Sequence, residues 1–383
     1  MKLNFENTTI NIIRDEIIEA INGRNVIVFG AGESGTWAKD LLQQKGIEVC
    51  SFCDNSKAKQ GKSKDGILIR SFEEAIELYP DACVCISSMY YQEIANQINN
   101  TRPDILNKTF NILSTMNWET INHCFVSEEG RYIKDHLKDF EMVYDDLADS
   151  ESKEVLENIL NYRLTRDSKY IEIIKSNNTT YLDPDVLTSS AFERIYNGVI
   201  IDGGAFDGDT VELFIDKLSD SNKKIEIHAY EISEENCEKI RKLNLGDNVV
   251  KVFRKALWCE SNKKVNSKGE GLSGGITISD EYDKEGVETF CLDDYLQERI
   301  SFVKLDVEGA EREVLKGSLK MIERCNPILA ISVYHLQDDI IILHKIIRNL
   351  RGGYKWYLRH YLYSSGETVL YGIPYDTLNN DEK

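Results

Sequence analysis

Hydrophobic residues follow two rhythms along this chain. Short unbroken apolar runs, each closed by a glycine or an acid, alternate with stretches whose apolar positions recur every three or four residues. The first rhythm marks buried parallel strands and the second marks amphipathic helices. Ile10, Ile13, Ile17, Ile18 and Ile21 predict a lead-in helix. A strand over 25–29, a glycine turn over 30–35 and a helix over 37–45 follow, then strands over 48–53 and 82–87 and a helix over 92–99. From about 116 to 196 glycine is nearly absent, and Leu147, Val155, Leu156, Ile159, Leu160, Leu164, Ile171 and Ile174 fall at helical spacing.

The strand rhythm resumes near 197. Strands are predicted at 199–202, 225–231, 249–254, 302–305, 328–333, 356–363 and 368–373, with helices over 312–323 and 339–350 and a short one over 292–296. The glycine-rich run 269–275 reads as a loop. Ligand-type residues close the strands, so the pattern predicts an α/β fold with a doubly wound sheet and its site along one edge. The expected organisation is a Rossmann-like domain over 1–115, a helical connector over 116–196, a larger α/β domain over 197–375 and a flexible tail over 376–383.

Composition removes some partners. A net charge of −19 over 383 residues argues against a nucleic-acid surface, which needs a positive footprint. No run approaches the roughly 20 apolar residues of a membrane span, and the first residues lack an apolar signal core, so a cytoplasmic protein without a membrane span is expected. A homo-oligomer is left open. The nine cysteines fit reduced, buried thiols. Cys50 and Cys53 have the spacing of a zinc half-site, but no second pair follows, and no metal is expected there.

Two strand-turn-helix units carry the candidate chemistry. In the first, Gly30, Gly32 and Gly35 form Gly-x-Gly-x-x-Gly, and Asp54 closes the next strand about 20 residues on, where a ribose is held in dinucleotide sites. NAD, another nucleotide or a nucleotide-sugar is one reading; a domain kept for packing or assembly is the other. In the second, Val199 to Thr210 reads Val-Ile-Ile-Asp-Gly-Gly-Ala-Phe-Asp-Gly-Asp-Thr. Asp202, Asp207 and Asp209 around Gly203, Gly204, Ala205 and Phe206 repel phosphate and suit a ligand with cationic and hydroxyl groups, such as S-adenosylmethionine. Thr210 opens the following helix. Glu231, at the next strand end, is placed to accept from ribose hydroxyls, and Ala256 and Leu257 lie near where an adenine would sit.

The ordered set Ile201-Asp202-Gly203-Gly204-Ala205-Phe206-Asp207-Gly208, Lys304-Leu305-Asp306-Val307-Glu308-Gly309-Ala310-Glu311, Ser332-Val333-Tyr334-His335 and Arg359-His360-Tyr361 with Glu367 to Tyr371 resembles the FkbM family of S-adenosylmethionine-dependent methyltransferases. The resemblance covers about 197–375. It implies a class I methyltransferase fold and an acceptor hydroxyl on a sugar or natural product. By position, Asp202, Gly204, Ala205 and Asp207 would hold the amino-acid half of the cofactor, Glu231 its ribose, and Asp306 would lie near the transferring methyl group. Asp207 would stand in for an Asn common in the family.

Taking a proton from an alcohol calls for a base or a metal. His335 is the candidate base, since an imidazole titrates near 6.5, against a buried histidine with a structural hydrogen bond; His360 is a weaker candidate. Asp306, Glu308 and Glu311 offer oxygens for Mg²⁺, but Glu308 as a helix cap and Glu311 facing solvent is the preferred reading, and no metal is expected. Tyr181-Leu182-Asp183-Pro184 reads as a structural bridge in preference to a lid. The expected activity is methylation of a hydroxyl, less readily an amine, on a small molecule or glycan, including surface or flagellar glycans. An NAD-dependent sugar-nucleotide enzyme is the alternative, without the Tyr-x-x-x-Lys pair such chemistry needs; a non-catalytic nucleotide-binding scaffold is the third.

Overall fold

The computed structural model describes residues 1–5, 19–21, 23–88, 90–112, 126–165, 167, 169–218, 223–267, 276–278, 286–348, 350, 353–363 and 365–378. The chain divides into two compact units, one of 1–136, 157–175 and 362–365, the other of 137–156, 176–361 and 366–383. Residues expected to form a separate connector are therefore shared between the units. Helices Val126–Asp135 and Lys169–Ile174 go with the first, Leu137–Asp146 and Ser189–Tyr196 with the second, and the long helix Ser150–Thr165 contributes to both. The lead-in helix expected from Ile10 to Ile18 and the loop 269–275 lie outside the described residues, although 19–21 are helical and Ile21 is buried.

In the first unit, β1 (Val26–Phe29), β2 (Val49–Cys53), β3 (Ser63–Lys64), β4 (Ile67–Arg70), β5 (Cys83–Ile86) and β6 (Thr109–Asn111) form one sheet in the order β3-β4-β2-β1-β5-β6. It is parallel except for β3. Alternation explains how β1 is apolar throughout: Val26 and Val28 enter one core, Ile27 and Phe29 the other. β2 and β5 flank β1, so the turns after β1 and β5 open where the winding reverses.

The second unit holds a seven-stranded sheet. Its strands are β7 (Val199–Gly203), β8 (Glu226–Glu231), β9 (Val249–Arg254), β14 (Ile300–Leu305), β15 (Ile328–Ser332), β16 (Tyr354–His360) and β17 (Thr368–Pro374), in the order β16-β17-β15-β14-β7-β8-β9. β17 runs antiparallel to both neighbours, so the sheet is mixed. Strand order reverses between β7 and β14, which puts the loops after these two strands at one switch point. Behind them Ile200, Phe214, Phe302, Ile328 and Tyr371 share a core, with Phe214 and Phe302 edge to face at 5.7 Å.

Besides the unexpected strands β3, β4 and β6 of the first unit, two features of the second depart from the sequence reading. A small sheet of β10 (Ala256–Leu257), β11 (Lys264–Ser267), β12 (Ile276–Ile278) and β13 (Val287–Phe290) was not foreseen, because such short strands carry no apolar run. The helix expected over 312–323 is two, Glu311–Lys316 and Leu319–Cys325. They part at Gly317, whose carbonyl accepts from Asp293 N–H and where a Cβ would stand 2.5 Å from Trp258 O. No helix among the described residues is long and apolar enough to cross a membrane.

Candidate active site

Parallel pairing of β7 with β14 sets Asp202 beside Lys304. Both are buried; Lys304 Nζ lies 3.0 Å from Asp202 Oδ1 and donates to Gly204 O at 2.7 Å. Burial works against the ammonium, but Asp202 and Asp306 outweigh it and raise the Lys304 pKa. The loop then turns sharply. Gly204 has φ +75°, and a Cβ there would stand 1.8 Å from Asp306 O, so only glycine fits. Phe206, at φ 45° and half-exposed, donates its N–H to Glu231 Oε2 at 3.0 Å, while Ser233 N–H donates to Oε1 at 2.7 Å. Burial raises the Glu231 carboxyl despite these donors. Thr210 is buried, its N–H donating to Asp209, and Asp207 stays partly exposed in the turn. Ala205 is buried and holds the loop through its N–H to Tyr230 O; Leu257 and Ala256 are buried in β10, with Leu257 against Gly203.

A second cluster gathers at the tip of β14. Asp306 accepts from Tyr181 Oη at 2.9 Å and from Tyr334 Oη at 3.0 Å. Burial would raise its carboxyl, but Lys304, His335 and the Tyr181 hydroxyl hold it below the usual carboxylate range. Glu308 and Gly309, at φ 55° and 92°, fold the chain back. His335 Nδ1 then lies 3.0 Å from Glu311 Oε1, and Nε2 3.4 Å from Asp306 and 3.6 Å from Glu308. Burial lowers the imidazole pKa, yet Glu311, Asp306 and Glu308 carry it to about 10. Tyr334 Oη also reaches Glu367 Oε1 at 3.4 Å; burial and the Asp306 charge push Glu367 to about 7.

Several readings change here. Glu311 does not face solvent but is fully buried, its Oε1 accepting from Val307 N–H, because the turn at Glu308 and Gly309 swings it inward. Glu308 is not a cap; Ala310 holds that position without a side-chain bond. His360 is a buried partner of Thr368, 2.9 Å away. Tyr181 reaches the cluster instead of merely bridging. Lys304, Glu367 and Tyr181 were missed as site residues. A lone lysine in the apolar run Phe302-Val303-Lys304-Leu305 is the available signal, since a charge there must be paired; Glu367 stands in a quoted motif and Tyr181 in the bridge segment, but no local pattern points either at Asp306.

In the first unit, Gly30, Gly32, Gly35 and Asp54 do come together at the ends of β1 and β2. A Cβ on Gly30 would stand 2.2 Å from Ser87 O and one on Gly35 2.0 Å from Gly30 O, so both are required by the chain's own packing; around Gly32 there is open space. Asp54 accepts from Ala31 N–H at 3.0 Å and Ser56 N–H at 2.9 Å and pairs with Lys59 at 2.9 Å.

A mixed seven-stranded sheet with one antiparallel strand beside its edge, and acids at the tips of β7, β8 and β14, is the arrangement of the class I methyltransferase fold, which implies S-adenosylmethionine as cofactor. Residues 202–355 match the methyltransferase FkbM domain, so this part of the chain is an FkbM-family methyltransferase domain. Residues 22–105 match a distinct family, C2185-like, N-terminal. The crystal structure of methyltransferase FkbM from Methylobacillus flagellatus KT is similar over 96% of this chain and 94% of that one, with TM-score 0.61 and 20% identity, a likeness of fold. Aeropyrum pernix fibrillarin with natively bound S-adenosyl-L-methionine aligns with 47% of this chain and 68% of that one at TM-score 0.30 and 9% identity, too distant to carry an argument. No curated protein matches the sequence.

The residues fit the cofactor. Asp202 Oδ2 is a buried carboxylate oxygen without a hydrogen-bond partner among the described residues, suited to a cationic amino group. Glu231 spends one backbone bond on each oxygen and keeps lone pairs for hydroxyls.

Proposed function

We propose that the enzyme methylates a hydroxyl group of a sugar, a glycan substituent or a related small molecule. The observation that carries this reading is Asp306, held ionised at the tip of β14 between two tyrosine hydroxyls and directly beside the cofactor loop. When bound, S-adenosylmethionine supplies a methyl group on a sulfonium, whose carbon–sulfur bond breaks toward sulfur as the acceptor oxygen attacks. Asp202, Asp207 and the Gly203–Ala205 backbone orient the amino-acid half in this reading, Glu231 the ribose, and Ala256 and Leu257 wall the base. Asp306 accepts a hydrogen bond from the acceptor hydroxyl and aims a lone pair along the transfer line, so positioning carries most of the rate.

The acceptor's proton needs a destination. His335, the candidate from sequence, is wedged among three carboxylates that keep its ring protonated near neutral pH, without a free lone pair. Glu367 takes that role instead: it is linked to Asp306 through Tyr334 Oη and its carboxyl lies at about 7, suited to proton transfer at neutral pH. Nucleotide-linked sugars and lipid-linked glycans are acceptors of this chemistry. NAD is the less favoured ligand, since Asp54, its expected ribose partner, is already paired with Lys59.

The test is release of S-adenosylhomocysteine from the full chain with matched acceptors, methyl glycosides and nucleotide-linked sugars against their amino-sugar analogues. Turnover of hydroxyl acceptors is expected. Turnover confined to the amino analogues would overturn O-methylation.

A further inference from the structure

We propose that Asp306, Glu311 and His335 form a binding site for a divalent first-row cation beside the methyl-transfer centre. Each offers one ligand atom, and the three atoms lie within 4.8 Å of one another. Donors that share such an ion sit about 2.0–2.2 Å from it, so small side-chain rotations bring them together.

Two observations separate this cluster from a chance group of acids. The His335 side chain is only 9% exposed, yet neither ring nitrogen makes an aligned hydrogen bond among the described residues, although both lie close to carboxylates. Glu311 is fully buried, and its Oε2 also has no hydrogen-bond partner among the described residues. Buried polar atoms of this kind are rare, and finding them on two neighbouring residues of the cluster calls for a ligand.

The charge balance points the same way. Lys304 is shared between its ion pair with Asp202 and the charge of Asp306, and Arg312 is paired with Asp338 and Asp339. That leaves His335 facing Asp306, Glu308 and Glu311, an excess of negative charge that a cation relieves. One imidazole nitrogen with two carboxylates suits Mn²⁺ or Zn²⁺ better than Mg²⁺. A bound ion would replace the imidazolium proton, offer an open position to the acceptor's hydroxyl oxygen and lower its pKa, the proton still leaving to Glu367.

The inference rests on the methyl-transfer reading only for its role, and cofactor binding measured in the same samples keeps the two apart. The full chain is stripped with a chelator, dialysed and titrated with Mn²⁺, with free ion followed by electron paramagnetic resonance and S-adenosylmethionine binding by calorimetry. Uptake of Mn²⁺ is expected, weakened at least roughly tenfold in Glu311→Gln and in His335→Gln, with cofactor affinity retained. No uptake by the unmodified chain overturns the site. So does equal uptake by a folded variant, which places the ion elsewhere. Thermal unfolding checks each variant, and if the buried Glu311→Gln does not fold, His335→Gln decides. Loss of cofactor binding by the unmodified chain would strike the methyltransferase reading and leave the cation site standing.

Discussion

The chain contains the same local device twice, and the two copies leave their acids in different charge environments. After β1 and again after β7, a buried strand runs into a glycine turn and a helix, and an acid closes the neighbouring strand. The parallel is close: Asp54 accepts from Ala31 N–H and Ser56 N–H, as Glu231 accepts from Phe206 N–H and Ser233 N–H. The difference is neutralisation. Asp54 also pairs with Lys59; burial would raise its carboxyl, but Lys59 and the backbone donors bring it below the usual range. Among the described residues Glu231 has backbone donors only, and burial leaves its carboxyl raised. An acid already satisfied by its own domain has less to offer a ribose, so a glycine fingerprint shows how helix and strand approach, and the charges around it decide what binds.

The largest effect expected from this contrast lies with the lysines. Lys304→Met strands the buried Asp202 and should cost about 3–5 kcal/mol in urea unfolding, whereas Lys59→Met breaks a half-exposed pair and should cost under about 1 kcal/mol. Equal costs would erase the distinction. The glycines come next. Gly204→Ala meets a backbone oxygen at positive φ and should cost about 3 kcal/mol or more, while Gly32→Ala enters open space and should stay within about 0.5 kcal/mol.

Binding gives the third test. Glu231→Gln should weaken S-adenosylmethionine roughly tenfold or more in calorimetry, because hydrogen bonds to a charged acceptor are worth about 1.5–3 kcal/mol; Asp54→Asn should leave that affinity unchanged. A fourth separates the units by titration. The rate constant kcat/KM should rise with pH through about 7 as Glu367 ionises, and Glu367→Gln should lose that rise.

The smallest effect is on stability against pH. The Asp54 carboxyl is lowered in the fold, so its contribution is present above its unfolded value near 3.9 and is lost as pH falls through the folded one. The Glu231 carboxyl is raised, so its contribution is present below about 4.3 and is lost as pH rises through the folded value. On acidification the unmodified chain should lose stability relative to Asp54→Asn and gain it relative to Glu231→Gln, read from urea midpoints.

The sequence by itself determined the longer strands of both α/β units, the glycine turns at their tips, and the acids Asp202, Glu231 and Asp306. It could do so because a strand buried on both faces must be apolar throughout and a helix must repeat its apolar positions every three or four residues; these are local properties of spacing. Only the tertiary structure decided which charges are spent. Asp202 meets Lys304 because β14, a hundred residues later in the chain, inserts beside β7. Tyr181 reaches Asp306 from a segment that reads as a bridge, and Glu311 turns inward on the positive φ of Glu308. A side chain's charge state depends on its burial and its neighbours, and those neighbours are assigned by strand order, which no periodicity along the chain encodes.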